Sequence, residues 1–434
     1  MLPPAAAASS RPLPLSILLL LLAALQLLVS PPPVANALVH EQVAFDNSDV
    51  CWWSLIPPDL VCPVLRQQNL TDIVNSLAGP PRWTGGDDCV GNYCLYNSSR
   101  FAGGRGLAAI TTAQNLPRLR EVGQLLHEFE VSFNNDDDSL PFLVAEVEGK
   151  GNGVIAKQPL VRGDPVMAHT PVLLVHQGFK EEPDQAGQHR LLDLALASLP
   201  QQTADLFMSQ MAHDPDEHPV AARLTTNAFR LDLGGDDGQH YGAFPEVGKT
   251  NHDCRPNAAY YVDQSTLMHI TTAVRPIAAG DEITITYLDP LAPRADRQDR
   301  ARSHWGFACA CPHCSASADE AAESDKRLKE LRWIEGQLQD LASGDASVGL
   351  ITYLLKLYED ERLQCRVANA YILAALNFNV LGYDQRGARY AELAIEALKI
   401  EKGEGSSHVE TMEELRRDPR GHPTFKGRGK KGGK

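Results

Sequence analysis

The sequence has 434 residues, 43% of them hydrophobic and 22% charged, a balance that excludes a disordered or fibrous chain and leaves room for two or three domains with their own cores. A formal net charge of −15 excludes the broad basic surface that grips nucleic-acid phosphates, so no direct nucleic-acid binding is expected, and it favours a basic partner instead.

In chain order, Arg11 precedes an apolar run from Leu15 to Val29, followed by Pro31–Pro33 and Ala35-Asn36-Ala37. A positive start, a short apolar core and an A-x-A site predict a cleavable secretory signal over residues 1–37, cut after Ala37. The run is shorter than the roughly 20 residues of a membrane span, although an uncleaved signal anchor is the alternative. No later segment is expected to cross a membrane.

Residues 38–138 read as a small, irregular N-terminal region that holds Cys51, Cys62, Cys89 and Cys94 and the sequons Asn69-Leu70-Thr71 and Asn97-Ser98-Ser99. Together with the signal, these predict a glycosylated protein in an oxidising compartment, with two disulfides whose pairing the sequence leaves open. One helix is expected over residues 116–129, and the acidic run Asn134–Asp138 reads as a linker.

Residues 139–290 carry short β-rich runs at Phe142–Val147, Val154–Ala156, Val172–Val175, Tyr260–Val262, Met268–Val274 and Glu282–Tyr287, interrupted by helical patterns near 189–212. A segment at 291–318 holds three cysteines. Over 319–402 the spacing is helical, as in Leu328, Leu331, Ile334, Leu338 and Leu341. Gly382 falls where a helix C-cap would lie, and Ala368, Ala375, Ala391 and Ala394 allow close helix pairing, an arrangement similar to one or two tetratricopeptide-like hairpins. Residues 403–434 read as a basic, flexible tail. The fold class is therefore α+β: a mostly β domain followed by an α-helical region.

Spacing makes the sharpest chemical statement. Cys309-x-Cys311-x-x-Cys314 places three thiolates within six residues, one short of a tetrahedral zinc site. Cys254, in the segment Asn251-His252-Asp253-Cys254-Arg255-Pro256-Asn257, is the natural fourth, and His313 a less favoured one. Disulfides are the alternative, but C-x-C is too tight for easy disulfide geometry.

Four segments, in order, resemble the motifs of SET-domain protein methyltransferases. Gly149-Lys150-Gly151-Asn152-Gly153-Val154-Ile155-Ala156 resembles the glycine opening, and the Asn251–Asn257 segment the NHSCxPN motif. Ala279–Tyr287 resembles the GEE-I-T-x-x-Y motif, and Trp305–Cys314 the post-SET zinc segment. Thr226-Asn227-Ala228-Phe229 is similar to the N-x-F segment of the SMYD-like branch. With no cysteine between Gly153 and Cys254, the MYND insertion of that branch is missing, as in fungal-type members.

The resemblance implies a SET fold with knot-like threading of the Tyr287 segment past the Asn251 loop, and transfer of a methyl group from S-adenosylmethionine to a lysine amine of a protein. It assigns Lys150, Gly151, Asn152, Gly153, Asn227, Asn251, His252, Tyr287 and Phe307 to the cofactor, and Tyr287 to catalysis. Phe307 stacks on the adenine or belongs to the core. It implies Zn2+ on Cys254, Cys309, Cys311 and Cys314, tying the threaded pieces together. Asp253 departs from the family's serine and adds negative charge beside a thiolate. The expected partner is a protein with an exposed lysine, in a basic segment. Two other readings stay open: an inactive secreted or lumenal SET-fold interaction module, favoured by the export signal and Asp253, and a peptide-binding helical region.

Overall fold

The computed structural model describes residues 82–128, 140–182, 184–342 and 345–427. The signal, Cys51, Cys62, the Asn69 sequon and the acidic linker lie outside these residues.

The fold is α+β. Six strands form the largest sheet, β1 (Thr84–Val90), β2 (Tyr93–Ser98), β3 (Leu107–Thr111), β7 (Leu173–His176), β9 (Gln239–Ala243) and β8 (Ala228–Asp232), in that spatial order. β3 pairs with β7 in parallel, Ala108 opposite Leu173 and Ile110 opposite Val175. All five residues of β3 are buried, because both faces of the sheet are covered. Ala108 and Ile110 face helices α2 (Gln185–Ala197), α3 (Gln201–Met208) and α4 (Pro219–Asn227) through Leu191, Phe207, Val220 and Leu224. Leu107 and Ala109 face α1 (Leu116–Glu128) and the central core.

The described part of the N-terminal region, residues 82–128, is therefore not separate from the domain that follows. β1 to β3 and α1 complete the main sheet and core, and the Cys89–Cys94 disulfide closes the β1–β2 hairpin, where the two cysteines are cross-strand partners. The reason is long-range pairing: β3 finds its partner more than sixty residues onward, and no local pattern announces that.

Two three-stranded sheets complete this half. β4 (Phe142–Val147), β5 (Gly151–Ala156) and β12 (Glu282–Ile283) run in the order β12-β5-β4; β6 (Pro165–His169), β10 (Ala258–Val262) and β11 (His269–Ala273) run in the order β10-β11-β6. Val154, Val166, Met167, Ile270 and Ile283 carry their inner faces into the central core, and Ile285, just beyond β12, joins them there.

Helix α5 (Arg294–Trp305) leads to the cysteine segment, and α6 (Ala318–Gln339) opens the helical region on a reciprocal capping box between Ser317 and Glu320. α7 (Val348–Asp360), α8 (Val367–Val380) and α9 (Asp384–Lys402) follow. Gly382, at φ +84, stands just beyond the α8 cap, and Ala368, Ala375, Ala391, Ala394 and Ala397 are buried in one cluster that allows close approach. Within the expected flexible tail of 403–434, of which residues 428–434 lie outside the described residues, residues 407–417 instead form helix α10 (Ser407–Arg417), with Val409, Met412 and Leu415 buried against that alanine cluster. Its three apolar residues are too few, among charges, to stand out in sequence. Asn379 then holds the following segment, donating to Thr424 Oγ1 at 2.9 Å.

Candidate active site and metal centre

Three separated segments meet at the edge of β5. The backbone of 251–253 lies against Ile285: Ile285 N donates to Asn251 O at 3.1 Å, and Asp253 N to Ile285 O at 3.0 Å. The two segments expected to cross thus lie side by side. Asn251 Nδ2 donates to Asn152 O at 3.1 Å and to Glu282 Oε1 at 2.9 Å, while Lys150 Nζ bonds Glu282 Oε2 at 2.6 Å. Gly153 makes this approach possible, since a Cβ there would lie 3.0 Å from both Asn251 Nδ2 and Glu282 Oε1 and 2.6 Å from Val147 Cγ2. Asn257 fixes the turn behind: its Nδ2 donates to Glu282 O and its Oδ1 accepts from Thr284 N, both at 2.8 Å.

Tyr287 is held at two points. Its backbone N–H donates to His252 Nδ1 at 3.0 Å, and its hydroxyl donates to Thr250 O at 2.7 Å. Burial pushes its phenol above the ordinary value. Its ring lies 5.3 Å from Trp305 and from His252, and meets Phe307 edge-on at 6.5 Å. Trp305 is itself fixed by Nε1 donating to Thr226 O at 2.9 Å.

His252 links the tyrosine to the cysteines. A backbone N–H can only donate, so Nδ1 is the acceptor and the neutral ring carries its proton on Nε2, which lies 3.4 Å from Cys254 Sγ. Burial holds the imidazole down to about 4, consistent with a neutral ring.

Cys254, Cys309, Cys311 and Cys314 are all buried, with ligand atoms within 4.8 Å of one another. Cys254 Sγ is 3.5 Å from Cys314 Sγ and 3.9 Å from Cys309 Sγ. A tetrahedral zinc with sulfur at about 2.3 Å requires neighbouring sulfurs about 3.8 Å apart, and these two distances bracket that value. The neighbouring Cys254 and Cys309 thiols hold the Cys311 thiol below its ordinary value. α5 braces the cluster: Gln298 Nε2 donates to Cys309 O at 2.7 Å and its Oε1 accepts from Cys309 N at 3.1 Å. Buried Arg297, on the same helix, places its cation beside Cys254 and Cys314. Gly306 ends α5 at φ +73, where a Cβ would strike the His213 ring at 2.2 Å, and so turns the chain toward Phe307, which packs on the cysteines.

The remaining expected residues are placed as follows. His313 stands outside the sulfur group, 3.3 Å from Ser324 Oγ and 3.8 Å from Glu361 Oε2. Asn227 Nδ2 donates to Met211 O at 2.7 Å and Arg223 O at 2.8 Å, at the end of α4 and one residue from the carbonyl that fixes Trp305. Asp253 Oδ1 accepts from Arg255 N at 2.7 Å, a local turn, and burial pushes its carboxyl up to about 6.

The sequence of the SET domain family matches residues 151–288. This chain carries a SET domain. It is similar to histone-lysine N-methyltransferase set5 of Schizosaccharomyces pombe, 24% identical over 66% of this chain and 86% of that protein. It is also similar to N-lysine methyltransferase SMYD2 of Gallus gallus, 30% identical, and of Homo sapiens, 29% identical, each over 36% of this chain. It spans about a third, 34%, of the length of those SMYD2 proteins.

Sequence reasoning missed how the SET domain is tied to the helices. Arg255, inside the quoted motif, donates to Cys254 O at 2.8 Å, to Pro290 O at 2.9 Å and to Glu361 Oε2 at 2.8 Å. Glu361, with no exposed side chain, also accepts from Ser324 Oγ and Arg327 Nε at 2.7 Å. Arg255 beside Cys254 was the signal; nothing near Glu361 in sequence pointed back to it. Trp305, Arg297 and Glu282 also lay inside or beside quoted motifs, but only contacts reveal what they do.

Proposed function

We propose that this protein is an S-adenosylmethionine-dependent protein-lysine N-methyltransferase with a structural Zn2+ on Cys254, Cys309, Cys311 and Cys314. The observation that carries the reading is the double anchoring of Tyr287 between His252 and Thr250 O. The names of the set5 and SMYD2 relatives support the activity. Lys150, Asn251 and the backbone around Gly153 would hold the donor's amino-acid end, and Phe307 and Trp305 would cover the site. Bound S-adenosylmethionine supplies the electrophilic methyl group.

The Tyr287 proton is committed to Thr250 O, so the oxygen lone pairs are free to meet an approaching amine or methyl group. A phenol pushed above its ordinary value is not an anion at neutral pH, so Tyr287 orients the reacting groups while the lysine ammonium loses its proton to water. Zinc would pin Cys254, and through it His252 and Tyr287, to the segment after α5. The thiolates' charge is met by Arg297 and by the His252 Nε2 proton.

The substrate in this reading is a basic protein segment, drawn by the net charge of −15. Residues 1–37 direct the protein to the secretory pathway, where the Cys89–Cys94 disulfide would be stable. Tritiated methyl transfer from S-adenosylmethionine to lysine-containing basic peptides tests the activity. Tyr287→Phe should reduce it about a hundredfold with the fold retained. Undiminished transfer by the variant removes Tyr287 from catalysis, and a folded, zinc-loaded wild type that transfers nothing points to an interaction module.

A further inference from the structure

The Glu282 carboxylate is the meeting point of the three segments that form the cofactor corner, and each of its oxygens is engaged. Oε2 takes Lys150 Nζ at 2.6 Å, and Oε1 takes Asn251 Nδ2 at 2.9 Å. The side chain of Glu282 is 16% exposed and that of Lys150 36%, so the acid is the fixed partner and the lysine the one facing solvent. Lys150 stands in the β4–β5 turn between Gly149 at φ +72 and Gly151 at φ +71, its N–H donating to Val147 O at 3.0 Å, so the backbone is held and only the side chain has to turn.

The amino-acid end of a sulfonium donor is a zwitterion. A pocket for it must present one cation to the carboxylate and one anion to the ammonium, or leave a charge unpaired. Lys150 is the cation. Among the groups that contact Lys150 and Asn251 in the described residues, Glu282 is the carboxylate.

Building on the methyltransferase reading, we propose that Glu282 is the ammonium-binding acid of the cofactor site and its internal latch. Before binding, it holds Lys150 and Asn251 in place. On binding, the donor's ammonium takes the place of Lys150 at Oε2, and Lys150 turns to the donor's carboxylate. One internal ion pair becomes two intermolecular ones, with Asn251 kept on Oε1. Glu282 is thus a positioning residue and takes no part in the methyl transfer itself.

The test compares two ligands by calorimetry on the purified protein: S-adenosylhomocysteine, and its analogue in which the α-amino group is replaced by hydrogen. Glu282→Gln keeps an oxygen for Asn251 but loses the charge, and its folding is checked by thermal midpoint. The variant should bind S-adenosylhomocysteine at least about tenfold more weakly than wild type while its affinity for the deaminated analogue stays within about threefold. Equal weakening for both ligands would make Glu282 a merely structural support and overturn the proposal, as would unchanged or tighter S-adenosylhomocysteine binding by the variant. A wild-type protein that binds neither ligand would instead overturn the methyltransferase reading, and the latch with it.

Discussion

Around Tyr287 the polar contacts reach far along the sequence: His252 to Tyr287, Asn251 to Glu282, Cys254 to Cys314. After Ser317 the stabilising contacts are mostly between neighbouring helices, with alanines from α8 and α9 packed together and Leu328, Leu331, Leu354 and Leu373 in one cluster beside them. Around Tyr287 the polar contacts are a few discrete ties set on the central hydrophobic core, whereas the helical region is held by many small contacts. A single change should therefore propagate in the first and be absorbed in the second, except where the two regions are joined through Arg255 and Glu361.

The largest effect is expected at the cysteines. Cys311→Ser should lower the zinc content from one per chain to near none and destabilise the SET half by several kcal/mol, because ligand binding and folding share one free energy. Elemental analysis with thermal unfolding reads both. A wild-type protein purified without metal, yet equally stable, would remove zinc from the account and with it the contrast between the two halves.

Next comes the join. Glu361→Ala would leave the Arg255 guanidinium, 4% exposed, without its counter-ion and should cost about 3–5 kcal/mol. Asp289 pairs with Arg332 and Arg366 from the same helical region, but all three side chains are 41–48% exposed. Asp289→Ala should therefore cost about 1 kcal/mol or less. Urea unfolding of the two variants separates them; similar losses would mean that burial does not set the strength of this join.

The same contrast governs what could be read in advance. The cysteine spacing, the Asn251–Asn257 segment and Tyr287 are legible because each motif is a contiguous string with its own chemistry. The partners that make them work are not: Thr250 O is a backbone carbonyl, and Glu361 lies more than a hundred residues from Arg255. Helices α6 to α9 announce themselves by spacing, and Gly382 by its place. α10 does not, because its apolar residues gain meaning only against the alanine face of α8 and α9. β1 to β3 fail for the opposite reason. Gly85 and Gly86 of β1 and Ala108 and Ala109 of β3 look like loop until β7 pairs with β3. Local pattern encodes elements, and long-range pairing decides which domain they join.

The last test lies inside the absorbing region and asks whether it is insensitive throughout. Glu401, near the end of α9 and 8% exposed, accepts Ala368 N–H at 2.9 Å at the start of α8. Burial pushes its carboxyl from 4.5 up to about 7, opposed by that hydrogen bond and by Arg162, Lys402 and Arg366. A carboxyl raised on folding favours the native state when protonated. Its contribution is whole below the unfolded value of 4.5 and is lost as pH rises through about 7. Glu401→Gln keeps an oxygen for Ala368 N–H and carries no charge, so it should remove this slope. At pH 8 the variant should exceed wild type by on the order of 2 kcal/mol, and at pH 5 the two should lie close together. Urea midpoints at both values measure the difference. Parallel pH profiles would show that Glu401 is solvated in the folded protein, and that even a charge set between α8 and α9 is absorbed without effect.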